Sequence, residues 1–474
     1  MTRIAAYILT VALVVPLAVP AAAAPPRFVS SADERSELSV TVYNNNLGLV
    51  REIRDVALGQ GEVRLEFQDV ASTIQPQTVT VRPLGQGRLG VLEQNYRYDL
   101  LSPQKLLEKY VGRSVRLHRW NEKLGRDEVT DAKVLSTHGG TVLEIDGEIT
   151  FGHPGRLSFP QIPENLIAKP TLEWLLRSER PRQRLEVSYL AGGMSWQADY
   201  ILRLDADDAR GDLTGWVTLS NGSGTAYENA RLKLVAGDVR RAPPEGNVEM
   251  MRTRALGYRV AEQQLKQEGF FEYQLYTLER PTTLLDNETK QIALLEADAI
   301  KVTKRFVSEG QPRFYRSAYR EQGGPKKVEV QVEFENSETN ALGKPLPRGV
   351  VRVYKADSEG SEQFVGEDRI DHTPRDEDVR LKVGEAFDLV VERRQTDYRA
   401  LGKCGSESGW QVELRNHKDE SAEVEVLEHA GGDWELVNAS HEAEKEDAFS
   451  FRFRVPVPAR GEAVVDYRVR VRWC

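Results

Sequence analysis

The sequence predicts a mostly β protein: several domains of antiparallel β-sandwiches, a small SH3- or Sm-like barrel and few short helices. The main observation is strict alternation of apolar and polar side chains, as in residues 328–334 and 465–473. A period of two is typical of strands with one buried face and one wet face. Charged outward positions also protect strand edges from pairing with other chains. Helical periodicity, in contrast, is confined to a few short segments.

Length and charge limit the class of protein. The chain has 474 residues, 40% of them hydrophobic, and a formal net charge of −9. This length exceeds what one compact core accommodates, so roughly two to four domains are expected. The composition is that of a folded globular protein rather than a disordered or multispan membrane protein. The negative charge is spread along the chain, which disfavours nucleic acid as a partner.

Residues 1–23 have the layout of a secretory signal peptide. Arg3 is followed by an apolar run at residues 4–19 and by small residues at 21–24. The run is short for a membrane span, and no cluster of Lys or Arg follows it, so cleavage after Ala23 is expected. The mature protein is therefore predicted to be exported, periplasmic or extracellular, without a transmembrane segment.

A β region at residues 24–101 is predicted to precede a compact small barrel at residues 102–160. Ser102 and Pro103 are typical of a helix start, and five short apolar runs follow. The dipeptide at 146–147, Asp-Gly, is the strongest hairpin signal in the chain. Sm-like relatives bind RNA, but this segment lacks a basic stripe and clustered stacking aromatics. A spacer or protein-contact module is the favoured interpretation.

Residues 161–400 are predicted to form a central β-sandwich of long strands, with a short helix expected at 171–176. One segment interrupts the pattern. Residues 242–268 begin with Ala-Pro-Pro and have no hydrophobic period. We expect a long exposed loop there, and loops of this length are often functional or mobile.

The last unit, residues 401–474, has the length and strand count of a small immunoglobulin-like sandwich. It contains Cys404 and Cys474, the two cysteines of the chain. In an oxidising compartment they could form a disulfide that stabilises the fold by roughly 4–5 kcal/mol. Two free thiols are the alternative, since the sequence does not provide the Cα separation.

Several short phrases occur together in this chain. They are residues 193–200 (GMSWQADY), 234–239 (LVAGDV), 286–291 (DNETKQ), 346–349 (LPRG) before 351–354 (VRVY), and 366–368 (GED) before 372–377 (HTPRDE). As a set, over roughly residues 37–474, they resemble a bacterial family built around a domain of unknown function that also occurs in mucoidy-inhibitor-A-like envelope proteins. The resemblance implies an exported, mostly β envelope protein connected with surface polysaccharide. It implies no reaction and no catalytic residues. The coiled-coil heptads of the longer relatives are missing from this sequence, which resembles a shorter variant.

The densest polar cluster is a candidate site. Its members are Glu367, Asp368, Asp371, His372 and Asp376. Carboxylates beside a histidine can bind a metal or act as acid and base. The spacing matches neither a calcium loop nor a zinc motif, so no metal site is predicted and a solvated loop is favoured. The enzymatic alternative is a hydrolase of envelope polysaccharide that uses carboxylates of the 367–378 loop. It requires two carboxyl groups facing one cleft at about 5–9.5 Å.

Four aromatic residues next to the long loop form a second candidate. They are Phe270, Phe271, Tyr273 and Tyr276. Core packing of a buried strand is the simpler interpretation. An exposed surface that stacks on sugar rings is the functional alternative.

Phosphate loops, zinc spacings and dinucleotide fingerprints are absent from the sequence, so no cofactor is predicted. A binding protein is therefore favoured over an enzyme. Its partner is expected to be another envelope protein or a surface polysaccharide, and a purely structural scaffold is the remaining alternative. The sequence does not predict the oligomeric state.

Overall fold

The computed structural model describes residues 24–152, 155–163, 166–237, 239–240, 265–319 and 324–474. Strands make up 64% and helices 5% of the residues described, which confirms the mostly β class. The predicted signal peptide, residues 1–23, and residues 242–264 of the predicted long loop lie outside the described residues. The last residues assigned to that loop, 265–268, lie instead in a strand, because they pair in register with residues 275–278.

The chain divides into two compact units. The first consists of the described residues within Met1–Ser36, Ile53–Val70 and Val81–Glu186, and the second of those within Glu37–Glu52, Ala71–Thr80 and Val187–Cys474. The elements up to residue 191 are β1 (Arg27–Ser30), β2 (Arg35–Tyr43), β3 (Leu47–Ala57), β4 (Gly61–Gln68), β5 (Thr80–Pro83), β6 (Leu89–Arg97), α1 (Pro103–Lys109), β7 (Ser114–Asn121), β8 (Arg126–Ser136), β9 (Val142–Ile145), β10 (Glu148–Phe151), β11 (Arg156–Ser158), β12 (Thr171–Ser178) and β13 (Arg182–Ala191). Strands β2, β3, β5 and β13 each contain a position at which the chain passes from one unit to the other.

After residue 191, the elements that the structure describes are strands and short 3-10 helices. The strands are β14 (Met194–Leu204), β15 (Arg210–Asn221), β16 (Tyr227–Ala236), β17 (Leu265–Phe270), β18 (Tyr273–Leu278), β19 (Thr282–Leu284), β20 (Glu288–Lys301), β21 (Thr303–Glu309), β22 (Lys326–Glu335), β23 (Gly349–Ala356), β24 (Glu362–Ile370), β25 (Asp378–Ala400), β26 (Gly405–Asn416), β27 (Ala422–His429), β28 (Asp433–Ala439), β29 (Ala443–Lys445), β30 (Ser450–Val457) and β31 (Glu462–Arg472). The 3-10 helices within the described ranges are Ala32–Glu34, Pro76–Thr78, Pro312–Tyr315 and Glu338–Asn340.

A four-stranded sheet of the first unit has the order β1-β4-β12-β6. Trp174 of β12 is fully buried and lies edge-on to Phe67 of β4, with ring centroids 5.5 Å apart. Its Nε1 donates a hydrogen bond to Gln94 Oε1 at 2.8 Å. The helix expected at 171–176 is therefore wrong. Strands β4 and β6 flank β12 on both sides and pair with its backbone, which overrides the helix-like spacing of its leucines.

The segment predicted to form a small SH3- or Sm-like barrel, residues 102–160, lies within the first unit. Its helix α1 begins as expected, because the Ser102 side chain accepts a hydrogen bond from the Lys105 amide at 3.2 Å. Five strands follow in the order β10-β9-β8-β7-β11, so the last strand returns beside the first. The domain has its own core of Tyr110, Val115, Leu117, Ala132, Val134 and Leu143. Over the described ranges, no helix is long and apolar enough to cross a membrane.

Two sheets built mainly from residues of the second unit pack face to face. One has the order β17-β18-β16-β2-β3-β13-β5, with β19 also paired to β16, and the other has the order β20-β15-β14-β23-β24. Trp196 of β14 joins them. Its indole Nε1 donates to the Val235 carbonyl of β16 at 3.2 Å, and its ring lies 6.1 Å from that of Tyr276 of β18. Parallel pairs such as β2–β16 and β14–β23 occur in these sheets beside antiparallel pairs such as β16–β18 and β14–β15.

The rest of the second unit is a nine-stranded sheet, β28-β31-β26-β25-β22-β21-β27-β30-β29. The boundary predicted at residue 401 falls between β25 and β26, which pair over residues 389–400 and 405–416. One apolar core extends from Phe314 to Val471. The sheet and its core are therefore continuous across residue 401. Cys404 and Cys474 form a disulfide with Cα atoms 5.5 Å apart.

The turn between β13 and β14 depends on Gly193, which has a φ of +75°. An added Cβ there would clash with the carbonyl oxygen of Gly222. We expect Gly193→Ala to lower the free energy of unfolding by about 1–3 kcal/mol, measured by urea denaturation. Gly192→Ala is the matched control, because its Cβ would meet nothing closer than Thr73 Cβ at 3.8 Å. Equal stability of the two variants would contradict the expectation.

Candidate functional site

The outer face of strands β3, β2, β16 and β18 contains the main candidate site. Alternate residues of β2, namely Leu38, Val40 and Val42, are buried in the sandwich. Side chains alternate across a strand, so the intervening residues point to the opposite, outer face. The same alternation applies to β16, where Leu232 and Leu234 are fully buried. The outer face therefore includes Glu37, Ser39, Thr41 and Tyr43 of β2, and Arg231, Lys233 and Val235 of β16.

Strand register aligns these residues in rows. In the parallel pair of β2 and β16, Arg231 lies beside Ser39, Lys233 beside Thr41, and Val235 beside Tyr43. In the antiparallel pair of β16 and β18, Thr277 lies beside Lys233, and Leu275 lies beside Val235. Paired residues share one side of a sheet, so the rows run continuously over the three strands.

A cleft of about 350 Å³ occupies the middle of this face. It is lined by Glu37, Leu38, Ser39, Thr41, Leu49, Arg51, Arg231 and Lys233. Three of these side chains are cationic, one is anionic, and two carry hydroxyl groups. A concave site with a few converging polar groups is the usual form of a ligand site on a protein surface.

Aromatic rings occupy one end of the same face. The Tyr273 ring lies over Gly237, where an added Cβ would be only 2.5 Å from Tyr273 Cδ1, so glycine is required for this approach. Tyr43 lies nearby, and its pKa is raised by burial and, to a smaller extent, by Tyr273. Phe271 lies beside Tyr273, at the turn between β17 and β18. Phe271 is 86% exposed, and its ring centroid is 6.1 Å from that of Tyr273. We call Tyr43, Phe271, Tyr273 and the cleft residues together the aromatic–basic face.

The structure separates the four aromatic residues selected from the sequence. Phe271 and Tyr273 lie together on the aromatic–basic face. Tyr276 instead faces the sandwich interior, because register places it beside the buried Leu234. Its hydroxyl donates to the Pro345 carbonyl at 3.1 Å, and burial raises its pKa. The backbone of Phe270 pairs with Tyr273, and its side chain lies outside the described part of the molecule.

The first two residues of the predicted polar cluster have different partners. Glu367 of β24 pairs with Arg352 at 3.2 Å, and Arg352 in turn donates to Asp199 at 3.1 Å. Asp368 accepts hydrogen bonds from the Lys382 and Arg369 amides, each at 2.8 Å. Glu367 therefore contributes to a row of polar side chains across the sheet, whereas Asp368 joins β24 to β25.

The other members of that cluster shape the loop before β25. His372 accepts a hydrogen bond at Nδ1 from the Arg348 amide at 3.1 Å. The Asp376 carboxylate accepts from Arg375 Nε at 3.0 Å, and its backbone has a φ of +63°. The Asp371 carbonyl accepts from the Thr373 hydroxyl. Within the described residues, no group of three or more His, Cys, Asp or Glu side chains is arranged to hold a metal ion.

Sequence reasoning missed the cleft because its residues come from distant segments. Arg51 on β3 is far in sequence from Arg231 and Lys233 on β16, and the neighbour order β16-β2-β3 in the sheet brings these two segments together. The available signal was the alternation itself, because Arg231 and Lys233 occupy the positions between the apolar residues of β16.

Comparison with known proteins adds no family assignment. No family model matches the chain, and no curated protein was found to be similar to it.

Proposed function

We propose that this protein is an exported envelope protein that binds a surface polysaccharide through its aromatic–basic face. The observation that carries the proposal is the placement of exposed or half-buried aromatic rings beside a polar cleft on one continuous sheet face. No catalytic step is part of the proposal.

The chemistry of the face suits an extended saccharide. Aromatic rings such as Phe271 and Tyr273 offer apolar surfaces to the C–H faces of sugar rings. Ser39 and Thr41 offer hydroxyl groups that both donate and accept hydrogen bonds. A strand rises about 3.3 Å per residue, so the face extends about 20 Å along β2 from Glu37 to Tyr43. An elongated polymer can therefore contact both the aromatic end and the cleft.

Export is supported by two independent features. The sequence begins with the pattern of a signal peptide, and the structure pairs Cys404 with Cys474. Disulfides of this kind persist mainly in oxidising compartments outside the cytosol.

Binding is favoured over hydrolysis by the partners of the candidate carboxylates. Glu367 pairs with an arginine of its own sheet, Asp368 binds backbone amides, and Asp376 pairs with Arg375. Each of these three carboxylates thus has a structural partner of its own, so the aromatic–basic face offers the better basis for function.

The proposal predicts that Phe271→Ala/Tyr273→Ala weakens polysaccharide binding. Removing both rings deletes the apolar contact at one end of the face, and stacking contacts of this size are worth about 1–3 kcal/mol, or roughly 5- to 150-fold in affinity. The measurement is affinity electrophoresis of the mature protein, residues 24–474, through gels that contain polysaccharide purified from the source cells.

The control is a second aromatic pair on another sheet. Tyr354 and Phe364 lie 5.6 Å apart, and Phe364 is exposed on edge strand β24. Tyr354→Ala/Phe364→Ala should migrate like the unmodified protein. The proposed function would be wrong if no polysaccharide fraction retarded the protein. The site assignment would be wrong if both double variants were retarded equally.

A further inference from the structure

We propose that the ligand of the aromatic–basic face is an anionic saccharide, whose acidic substituents bind Arg231 and Lys233 in the cleft. This inference rests on the proposed function and specifies its ligand class. The acidic substituent is a carboxylate, a phosphate or a sulfate, groups that share the negative oxygen atoms that these two side chains recognise.

The charge of the cleft is opposite to that of the whole protein. The chain has 73 acidic against 64 basic residues. The cleft reverses this balance, with Arg51, Arg231 and Lys233 against Glu37 alone. Concave walls of low polarity concentrate the field of such a cluster and attract ions of opposite sign. A neutral sugar would make no use of this local excess of positive charge.

The two cations of β16 lack carboxylate partners. Among the described residues, neither Arg231 nor Lys233 has an acidic oxygen within 4.0 Å. Cations on other sheet faces of the same unit are paired, as Arg352 is with Asp199 and Arg470 is with Glu407. In a chain with a surplus of carboxylates, two neighbouring outward cations that no carboxylate of the described residues pairs with are available to an external anion.

The spacing of Arg231 and Lys233 allows both side chains to bind the same ligand. Arg231 and Lys233 are two residues apart on one strand, so their Cα atoms are about 7 Å apart and their side chains leave the sheet on the same side. Each stands beside a hydroxyl-bearing residue of β2, Ser39 and Thr41 respectively. The cleft therefore presents two positions, each with a cation and a hydroxyl, along the direction of the strands.

The test compares native and neutralised polysaccharide in the same gel assay. Purified polysaccharide from the source cells is used untreated, after carbodiimide–borohydride reduction of its carboxyl groups, after dephosphorylation and after desulfation. We expect the untreated polymer to retard the protein, and the treatment that removes the binding substituent to abolish retardation. That treatment also identifies the acidic group. Retardation of the unmodified protein should weaken as sodium chloride is raised, because salt screens such contacts.

The variant is Arg231→Gln/Lys233→Gln, and a matched control removes the same charge elsewhere. Arg399→Gln/Lys403→Gln also lowers the net charge by two, at exposed positions outside the cleft. We expect the first variant to bind about tenfold or more weakly, since both charge-assisted contacts to the acidic substituents are lost. The control should bind like the unmodified protein.

Failure of this inference is distinct from failure of the proposed function. Equal retardation by untreated and all neutralised polymers, with no effect of Arg231→Gln/Lys233→Gln, would leave saccharide binding standing and overturn the anionic ligand. Equal weakening in both charge variants, or equal retardation by DNA, would show non-specific charge attraction and also overturn it. Absence of retardation by every polymer would overturn the proposed function itself.

Discussion

Replacing Glu428 by alanine is expected to lower the free energy of unfolding by about 3–5 kcal/mol. Glu428 is fully buried in the core of the nine-stranded sheet. Its Oε1 accepts hydrogen bonds from Arg393 Nε and Nη2 at 3.0 and 2.9 Å, and its Oε2 accepts one from the Tyr315 hydroxyl at 2.7 Å. Alanine would leave a nearly buried guanidinium without its counter-ion, and desolvation of an unpaired charge is the dominant cost.

The same network favours neutral tyrosines. Tyr315 and Tyr467 share a hydrogen bond of 3.0 Å between their hydroxyl groups. Burial, followed by the Glu428 carboxylate, raises the pKa of both phenols well above the usual value. A raised folded pKa means that the associated stability is complete below the unfolded value of about 10 and is lost as the pH rises beyond it.

Urea denaturation followed by tryptophan fluorescence measures the effect of Glu428→Ala. Glu435→Gln is the control, because Glu435 pairs with Arg470 at the surface and should change the midpoint little. The double variant Arg393→Leu/Glu428→Leu should regain much of the loss, since it removes both charges together. A loss below about 1 kcal/mol for Glu428→Ala, the size typical of surface pairs, would contradict the expectation.

Trp196→Ala is the second substitution with a large expected effect. Removal of a buried tryptophan costs about 3–5 kcal/mol, because apolar burial is lost and a cavity remains. Trp196 also holds two sheets together through its contact with Tyr276 and its hydrogen bond to the Val235 carbonyl. Val235 lies on β16 between the cleft and the aromatic end of the candidate face, so the same variant should also weaken polysaccharide binding.

Two further variants distinguish the contribution of Trp196 packing from that of its hydrogen bond. Trp196→Phe keeps most of the apolar volume and loses the N–H donor, so it should cost clearly less than alanine. Trp216→Ala removes a tryptophan that is 36% exposed on β15 and should also cost less. Chemical denaturation of the three variants ranks them. A Trp196→Ala protein as stable as the Trp216→Ala protein would show that Trp196 does not hold the sandwich together.

Alternation of side chains predicted the β class, and individual strands show why it did so reliably. In β31, Val465, Tyr467, Val469 and Val471 are buried as their period requires. The same alternation of faces also marks one unusual residue on the buried side of a strand. Glu428 follows Val424 and Val426 in phase on β27, so a carboxylate on the apolar side of a strand was visible in the sequence. Its partners Arg393 and Tyr315, however, come from other elements, and only packing identifies them.

Local sequence patterns do not predict the structure correctly where the pairing with neighbouring strands determines it. Residues 171–176 have leucines at helical spacing, yet β4 and β6 hold them in a strand. Tyr273 and Tyr276 are three residues apart, so they lie on opposite faces of β18, but only the pairing with β16 determines which of the two faces is buried. The disulfide likewise depends on register, because Gly405 pairs with Arg472 and so brings the flanking cysteines together.

The sequence by itself determined the β class, the alternation of faces on most strands, the N-cap of α1 and the composition of the small β domain. These follow from local chemistry, namely which side chains leave water and which backbone angles a residue accepts. Tertiary structure alone decided which strands are neighbours, where one core continues across residue 401, and which separate charges meet in the cleft of the aromatic–basic face. Those outcomes depend on contacts between residues far apart in the chain. A period of two in the sequence shows which face of a strand a side chain occupies, but it does not show which other strand pairs with it.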